Sequence, residues 1–271
     1  MTKVMSDECQ EIVRKHDHDR FLLGLLMPYK CRAALWTLFA FNYEIAKTRD
    51  VVSETTIGLI RLQWWRDAIK EIYDGQAPRQ HEVVTPLAKI IKAYDLPRED
   101  FETLIYAREF DLEGVAPANG QGLVNYCDFT TTPLYRLALK ICGETVNEDD
   151  LKAVAVHYAL ISTLRAVPYM LGQRRLMLPQ DIIHNHNMSE QQLLDFNQKE
   201  KLPEVIDEVL ELKSDFRYDQ NTIKSRFLKG VAVMADLYER QLRTVAYDVF
   251  DPRLALPPRF MALRLWWKSL F

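Results

Sequence analysis

Glu44, Lys47, Arg49 and Asp50 break into an otherwise apolar helical run, LWTLFAFNYEIAKTRDVV, at residues 35–52. Acids and bases gathered at one end of a greasy helix can hold a divalent cation, an anionic group, or only one another. For a cation the decisive spacing is four, because residues i and i+4 lie one above the other on a helix face. The position four before Asp50 is Ala46, which has no oxygen to offer. Glu44, six before it, lies roughly 120° round a continuous helix and cannot share a small ion with it. Lys47, three before Asp50, is expected to pair with it and to place an ammonium where a metal's charge would sit.

Other residues of ligand type come to less. His16 with His18 and His184 with His186 are each two apart, so on a helix they share no face, and no acid or cysteine stands at ligand spacing; both pairs read as solvated loop. Cys9, Cys31, Cys127 and Cys142 show no CxxC spacing, which points away from a zinc site or disulfide framework and towards a reducing compartment. Asp111 and Glu113, two apart before a glycine-rich stretch, read as helix-terminal residues, with Arg108 placed to pair with Asp111. Trp64 and Trp65 point about 100° apart, so one belongs to the core and the other faces a neighbouring helix or a ligand.

The elements that carry these residues are helices. Glycine is scarce, 9 in 271 residues, and apolar residues recur at three and four along most of the chain, which predicts an all-α protein with few or no strands. Breaks fall at Pro28, 75–78, Pro97, 114–122, Pro133, Gly143, Pro179, Pro203 and 257–258, with Pro168 kinking a helix from within. No Ser/Gly/Pro linker divides the chain and no fixed-period repeat occurs, so residues 1–271 are assigned to one domain. Residues 184–203, the most polar stretch, are expected to form a mobile insertion. A net charge of -3 without a basic stripe argues against nucleic acid. The first twenty residues mix acids and bases around no apolar centre, unlike a signal or transit peptide, and no apolar run reaches the roughly 18 residues of a membrane span. The tail, PPRFMALRLWWKSLF, is different in kind: Phe260, Leu263, Trp266, Trp267, Leu270 and Phe271 fall on one broad arc, with Arg264 and Lys268 beside it. Residues 257–271 read either as an amphipathic helix on a membrane surface or as a terminal helix docked on the protein's own core.

Five segments in order cover most of residues 17–181: DRFLLGLLMPYKCRAALWTLFAFNYEIAKTRD, LIRLQWWRDAIKEIYDG, YAREFDLEG, NYCDFTTTPLYRLALKICG and STLRAVPYMLGQRRLMLPQD. Together they resemble the squalene/phytoene synthase family, whose enzymes join two prenyl diphosphates head to head. The resemblance implies an all-α, single-domain isoprenoid synthase-type helical bundle around a central cavity. Active members carry a DDxxD pattern and a later NxxRDxxxD-like motif. Carried over, the first falls on Ala46, Lys47 and Asp50, and the second on Ser162, Arg165, Ala166 and Met170, with Pro168 between.

In such an enzyme magnesium bridges carboxylates and phosphate oxygens while an allylic carbon–oxygen bond breaks. Here one acid survives, so the resemblance yields no catalytic residue and no metal ligand, Asp50 serving only if magnesium binds. It leaves Lys47, Arg49, Asp50, Arg61, Tyr126, Arg165, Arg174 and Arg175 as candidates to hold an isoprenoid or other lipid-like ligand, because a guanidinium fork suits phosphate oxygens without a metal. The plainer reading pairs Arg49, Arg61 and Arg165 with Glu44, Asp67 or Asp111. FNYEIAKTRDVVSETTIGLIRLQWW with LRAVPYMLGQRRLMLPQD is most similar to the branch of the family that supports biogenesis of respiratory complex I. That implies a non-catalytic helper without a cofactor, contacting a complex I subunit or assembly partner, cytoplasmic and peripheral to the inner membrane. The alternatives are an active prenyl diphosphate transferase with a rearranged magnesium site drawing on Asp50 with Asp111 or Glu113, and a helical scaffold with no ligand.

Overall fold

Among the described residues the repeats at three and four become helices, and no strand forms. The computed structural model describes residues 2–197 and 199–270, with side chains at 8–197 and 199–268. The helices are α1 (Thr2–His16), α2 (His18–Leu26), α3 (Tyr29–Ala46), α4 (Thr48–Val51), α5 (Thr55–Tyr73), α6 (Val84–Tyr94) and α7 (Arg98–Glu113). They continue as α8 (Gly120–Cys142), α9 (Glu148–Gly172), α10 (Gln180–Asn185), α11 (Glu190–Leu194), α12 (Leu202–Glu211), α13 (Arg226–Thr244) and α14 (Met261–Leu270). The chain groups into two compact units: Met1–Glu113 with Pro133–Thr145 and Ser225–Phe227, and Gly114–Thr132 with Val146–Lys224 and Leu228–Phe271.

In the first unit α3 is apolar on every side and buried on every side, as a helix without a polar face must be. Leu35, Leu38, Phe39, Phe41 and Ile45 have no exposed surface. Phe41 meets Trp65 of α5 edge-on at 5.5 Å and Phe101 of α7 at 5.3 Å, so one aromatic cluster ties three helices. Trp65 is thus the core member of its pair; Trp64 is half-buried and packs under the Arg79 guanidinium, 5.1 Å away. Asp17 caps α2 by accepting from the Arg20 N–H, and Gly24 lets that helix approach the indole of Trp36. A Cβ at Gly24 would overlap Trp36 Nε1, and that ring is buried and stacked on Phe21 at 5.4 Å. Gly24→Ala is therefore expected to lower the unfolding free energy by about 1–3 kcal/mol in urea denaturation; an unmoved midpoint would mean the indole swings aside freely.

In the second unit α9 carries the core: Leu151, Val154, Val156, Leu160, Ile161 and Leu164 are buried. An 18-residue window of this helix has mean hydropathy 1.2, enough by length and composition to cross a membrane, although the sequence reading finds no such run. Of that window 67% is buried inside the protein, where a core helix keeps its apolar side chains.

Two expectations about chain breaks change. Pro133 lies inside α8 instead of ending a helix, because burial of Leu134, Tyr135, Leu137 and Ala138 outweighs the one backbone hydrogen bond that proline forfeits. The polar stretch 184–203 is largely built structure. Ser189 and Gln192 form a reciprocal capping box at the start of α11, and Met188, Leu193 and Leu202 are buried beneath their polar neighbours.

Candidate functional site

The charged cluster of the first unit is assembled at a helix break. α3 ends at Ala46, Lys47 is the joint (φ -70, ψ -6), and α4 restarts at Thr48. The continuous helix assumed from sequence does not run through the cluster, so angles counted along it do not apply. Glu44, in the last turn of α3, is only 3% exposed. A buried carboxylate must be paired, and it is paired twice: Lys47 Nζ lies 2.5 Å from Oε1, and Arg61 Nη2, from α5, 2.9 Å from Oε2.

The expected partner of Lys47 was Asp50; the structure gives it Glu44, with the Tyr43 ring 5.0 Å from the ammonium. Glu44 and Lys47 form an i,i+3 pair, with Lys47 reaching towards the N-terminal side on which helical side chains lean. Asp50 is exposed. Arg49 is half-buried, and its Nε makes no hydrogen bond. Arg61 follows the plainer reading and pairs with Glu44. On α7 the expected Arg108–Asp111 pair forms at 3.3 Å, with Asp111 buried, and Glu113 stands exposed beside Gly114. Arg66 and Glu109 join α5 to α7 as a further ion pair.

The second unit holds the remaining candidates. The Arg165 guanidinium lies over the Tyr238 ring, 3.5 Å from its centroid. Arg174 is exposed with φ 52 and lies 3.5 Å from Asp195; Arg175 and Tyr126 are half-buried. Ala166, Pro168 and Met170 lie along α9 and present hydrocarbon where the second aspartate motif would present oxygen. With Ala46 and Lys47 in the first motif, these positions do not fit a magnesium cluster: the donor set is one exposed carboxylate, Asp50.

Sequence reasoning missed a buried network in this unit. His157 of α9 is 4% exposed; its Nε2 is 2.6 Å from Glu239 Oε2 and its Nδ1 2.8 Å from the Tyr218 hydroxyl. The other Glu239 oxygen accepts from Lys213 at 2.5 Å and Arg243 at 2.8 Å. Burial pushes the Glu239 carboxyl up, but hydrogen bonds from His157 and Lys213 outweigh it and hold the group down at about 2. His157, Asp236 and Glu239 also bring one ligand-type atom each within 4.8 Å of one another. Lys213 and Arg243 supply the positive charge there, and Gln220 donates to Asp236, so the cluster is neutralised by protein groups. The partners of His157 lie 61 and 82 residues away in sequence. The available signal was general: a histidine within an apolar helix is buried and must find partners.

Solvated loop, the sequence reading of the two histidine pairs, holds in part: His16, His18 and His184 are exposed, but they lie in α1, α2 and α10, and His186 is half-buried just past α10. His16 stacks on Tyr43 at 4.6 Å, and His186 sits between Glu204 at 3.5 Å and Glu208 at 2.7 Å, acids that α12 brings from a distance. All four cysteines are free thiols, and burial pushes Cys127 up to about 12 and Cys9 to about 11, far from a reactive thiolate at neutral pH.

A relative from Homo sapiens described as NADH dehydrogenase (ubiquinone) complex I, assembly factor 6, is 31% identical over 275 residues, 96% of this chain and 82% of that protein. Presqualene diphosphate synthase of Rhodopseudomonas palustris is 26% identical over 164 residues, 59% of this chain and 57% of its own. A crystal structure of a dehydrosqualene synthase in complex with ligand has the same fold, with a TM-score of 0.81 at 14% identity over 99% of this chain and 96% of that one. This is an isoprenoid synthase-type, all-α fold. With residues 13–260 matching the squalene/phytoene synthase family, the chain belongs to it.

Proposed function

We propose that this protein is a synthase fold without synthase chemistry, acting in the assembly of respiratory complex I and retaining a place for an isoprenoid or other lipid-like ligand. The observation that carries the reading is the closure of Lys47 and Arg61 on buried Glu44 where a metal-binding face would be needed. A diphosphate departing from carbon needs concentrated positive charge aimed at it, and here that charge is already answered by a carboxylate. Similarity to the human assembly factor over 96% of the chain supports the assembly role. Lys47, Arg49, Asp50, Arg61, Tyr126, Arg165, Arg174 and Arg175 are the proposed ligand contacts, none of them catalytic. A complex I subunit or assembly partner is the proposed protein contact, and the place of action is cytoplasmic and peripheral to the inner membrane.

A second reading, an active prenyl diphosphate transferase, is favoured by the similarity to presqualene diphosphate synthase over 59% of the chain. Against it, Asp111, an acid it would recruit, is buried beside Arg108. Two measurements separate the readings. Purified protein incubated with farnesyl or geranylgeranyl diphosphate and magnesium is expected to release no more diphosphate than a protein-free control; release abolished by Asp50→Asn would establish the transferase. In its own cells, loss of the protein is expected to deplete assembled complex I on native gels, with full rescue by the Asp50→Asn chain. Undiminished complex I would remove the assembly role.

A further inference from the structure

α14 docks through two buried side chains and keeps an apolar arc exposed. Met261 and Leu265, four apart, are buried, whereas Leu263, Trp266 and Trp267 keep 59%, 49% and 60% of their surface exposed. The tail is therefore docked on the protein, as one sequence reading had it, and still presents the apolar arc that suggested the other. Leu270 and Phe271 of that arc lie outside the described side chains.

Between α13 and α14 runs an apolar cleft of about 560 Å3 walled by Val233, Leu237, Leu263, Trp266 and Trp267. A second cleft of about 470 Å3 shares Leu237, Arg240 and Arg264 with it, adds Arg259 and an Arg253 paired with Asp251 at 2.7 Å, and has no carboxylate in its wall. Asp236, the acid at the edge of the first cleft, accepts a hydrogen bond from Gln220. Phe260, just before α14, adopts φ 57, a backbone conformation that bulky side chains avoid, yet its ring stays 74% exposed. That strain gains little burial within the protein.

Charge identifies what covers this face. From Pro252 onwards the sequence carries Arg253, Arg259, Arg264 and Lys268 and no acid, in a chain whose net charge is -3. An apolar patch alone would suit many partners. Tryptophans beside a cleft that Arg240, Arg259 and Arg264 line without a carboxylate in its wall suit a surface of phosphates over hydrocarbon.

We propose that the α13–α14 face docks the protein on an anionic phospholipid bilayer. Leu263, Trp266 and Trp267 enter the boundary between headgroups and acyl chains, and the arginine cleft takes a lipid phosphate. This gives the membrane-peripheral placement proposed above a surface and a lipid chemistry, and does not depend on the assembly role.

The test is co-sedimentation of the full chain with vesicles of phosphatidylcholine alone or with about 30% phosphatidylglycerol. The protein is expected to pellet with the anionic vesicles, less so as salt rises, and to stay in solution with the neutral ones. Each cation near an anionic surface is worth about a factor of five, so Arg264→Gln with Lys268→Gln is expected to weaken partition roughly thirtyfold. Trp266→Phe with Trp267→Phe preserves ring burial against the fold and should abolish the quenching of tryptophan emission by doxyl-labelled lipid seen for the unmodified chain. Far-UV circular dichroism checks that both double variants are folded, and the quenching of the unmodified protein stands without them. Equal partition onto both vesicle types, partition onto neither, or binding that neither double variant alters overturns the proposal. A concentration-dependent dimer in place of vesicle binding would assign the face to a second copy and overturn it equally.

Discussion

Glu44→Ala is expected to lower the unfolding free energy by about 3 kcal/mol, because it strips the shared acceptor from two cations and opens a void at the end of a buried helix. The figure lies at the low end for a broken buried pair. Lys47 and Arg61 keep 26% and 33% of their side chains exposed and can turn partly to water, whereas Glu44 keeps 4%. The pairing, as distinct from the volume, is isolated by a double-mutant cycle. Glu44→Gln and Arg61→Met are expected to be less than additive, since each removes the same contact. Additive losses, or a Glu44→Ala effect below about 1 kcal/mol, would show that the clamp is not holding α3 to α5. The same experiment bears on function. If the clamp is structural, the positive charge at this end of α3 is committed to the fold.

The second large effect is on acid stability. Glu239 titrates at about 2 in the folded protein against its usual 4.5, so the folded state binds its proton less readily than the unfolded state. A carboxyl shifted downward adds stability that is fully present above pH 4.5 and drains away as pH falls towards 2. The groups facing it are His157, Tyr218 through His157, Lys213, Arg243 and the nearby Asp236. Between pH 6 and pH 3 this residue alone is expected to account for about 2 kcal/mol of lost unfolding free energy. Urea denaturation across that range reads the slope, and Glu239→Gln is expected to flatten it by the same amount while lowering stability at pH 6. A slope identical in the variant and the unmodified protein would mean the network does not hold Glu239 ionised.

These two carboxylates also mark the boundary of what residues can say before they are folded together. Both are glutamates in helices, and both become hubs through partners that pattern does not reveal. Arg61 lies on the next long helix after Glu44, and His157 lies 82 residues before Glu239. The apolar run of α3, the place of Pro168 inside α9 and the pairing of Arg108 with Asp111 were legible because they depend on residue type and neighbours within one or two turns. The partner of Lys47 was not, because Glu44 and Asp50 are both three away and spacing alone does not rank them. The polar stretch 184–203 failed for a related reason: composition registered its many charges but not that Leu193 and Leu202 would be covered.

By itself the sequence determined the helical class, the family and the loss of acids from the two aspartate motifs, since these are properties of residue type and order. Only the tertiary structure decided that Lys47 and Arg61 meet on Glu44, that Arg165 lies on Tyr238, and that α14 both docks and exposes its tryptophans. Local periodicity records which face of a helix is apolar; what that face and its charges meet is set by packing between segments far apart in the chain.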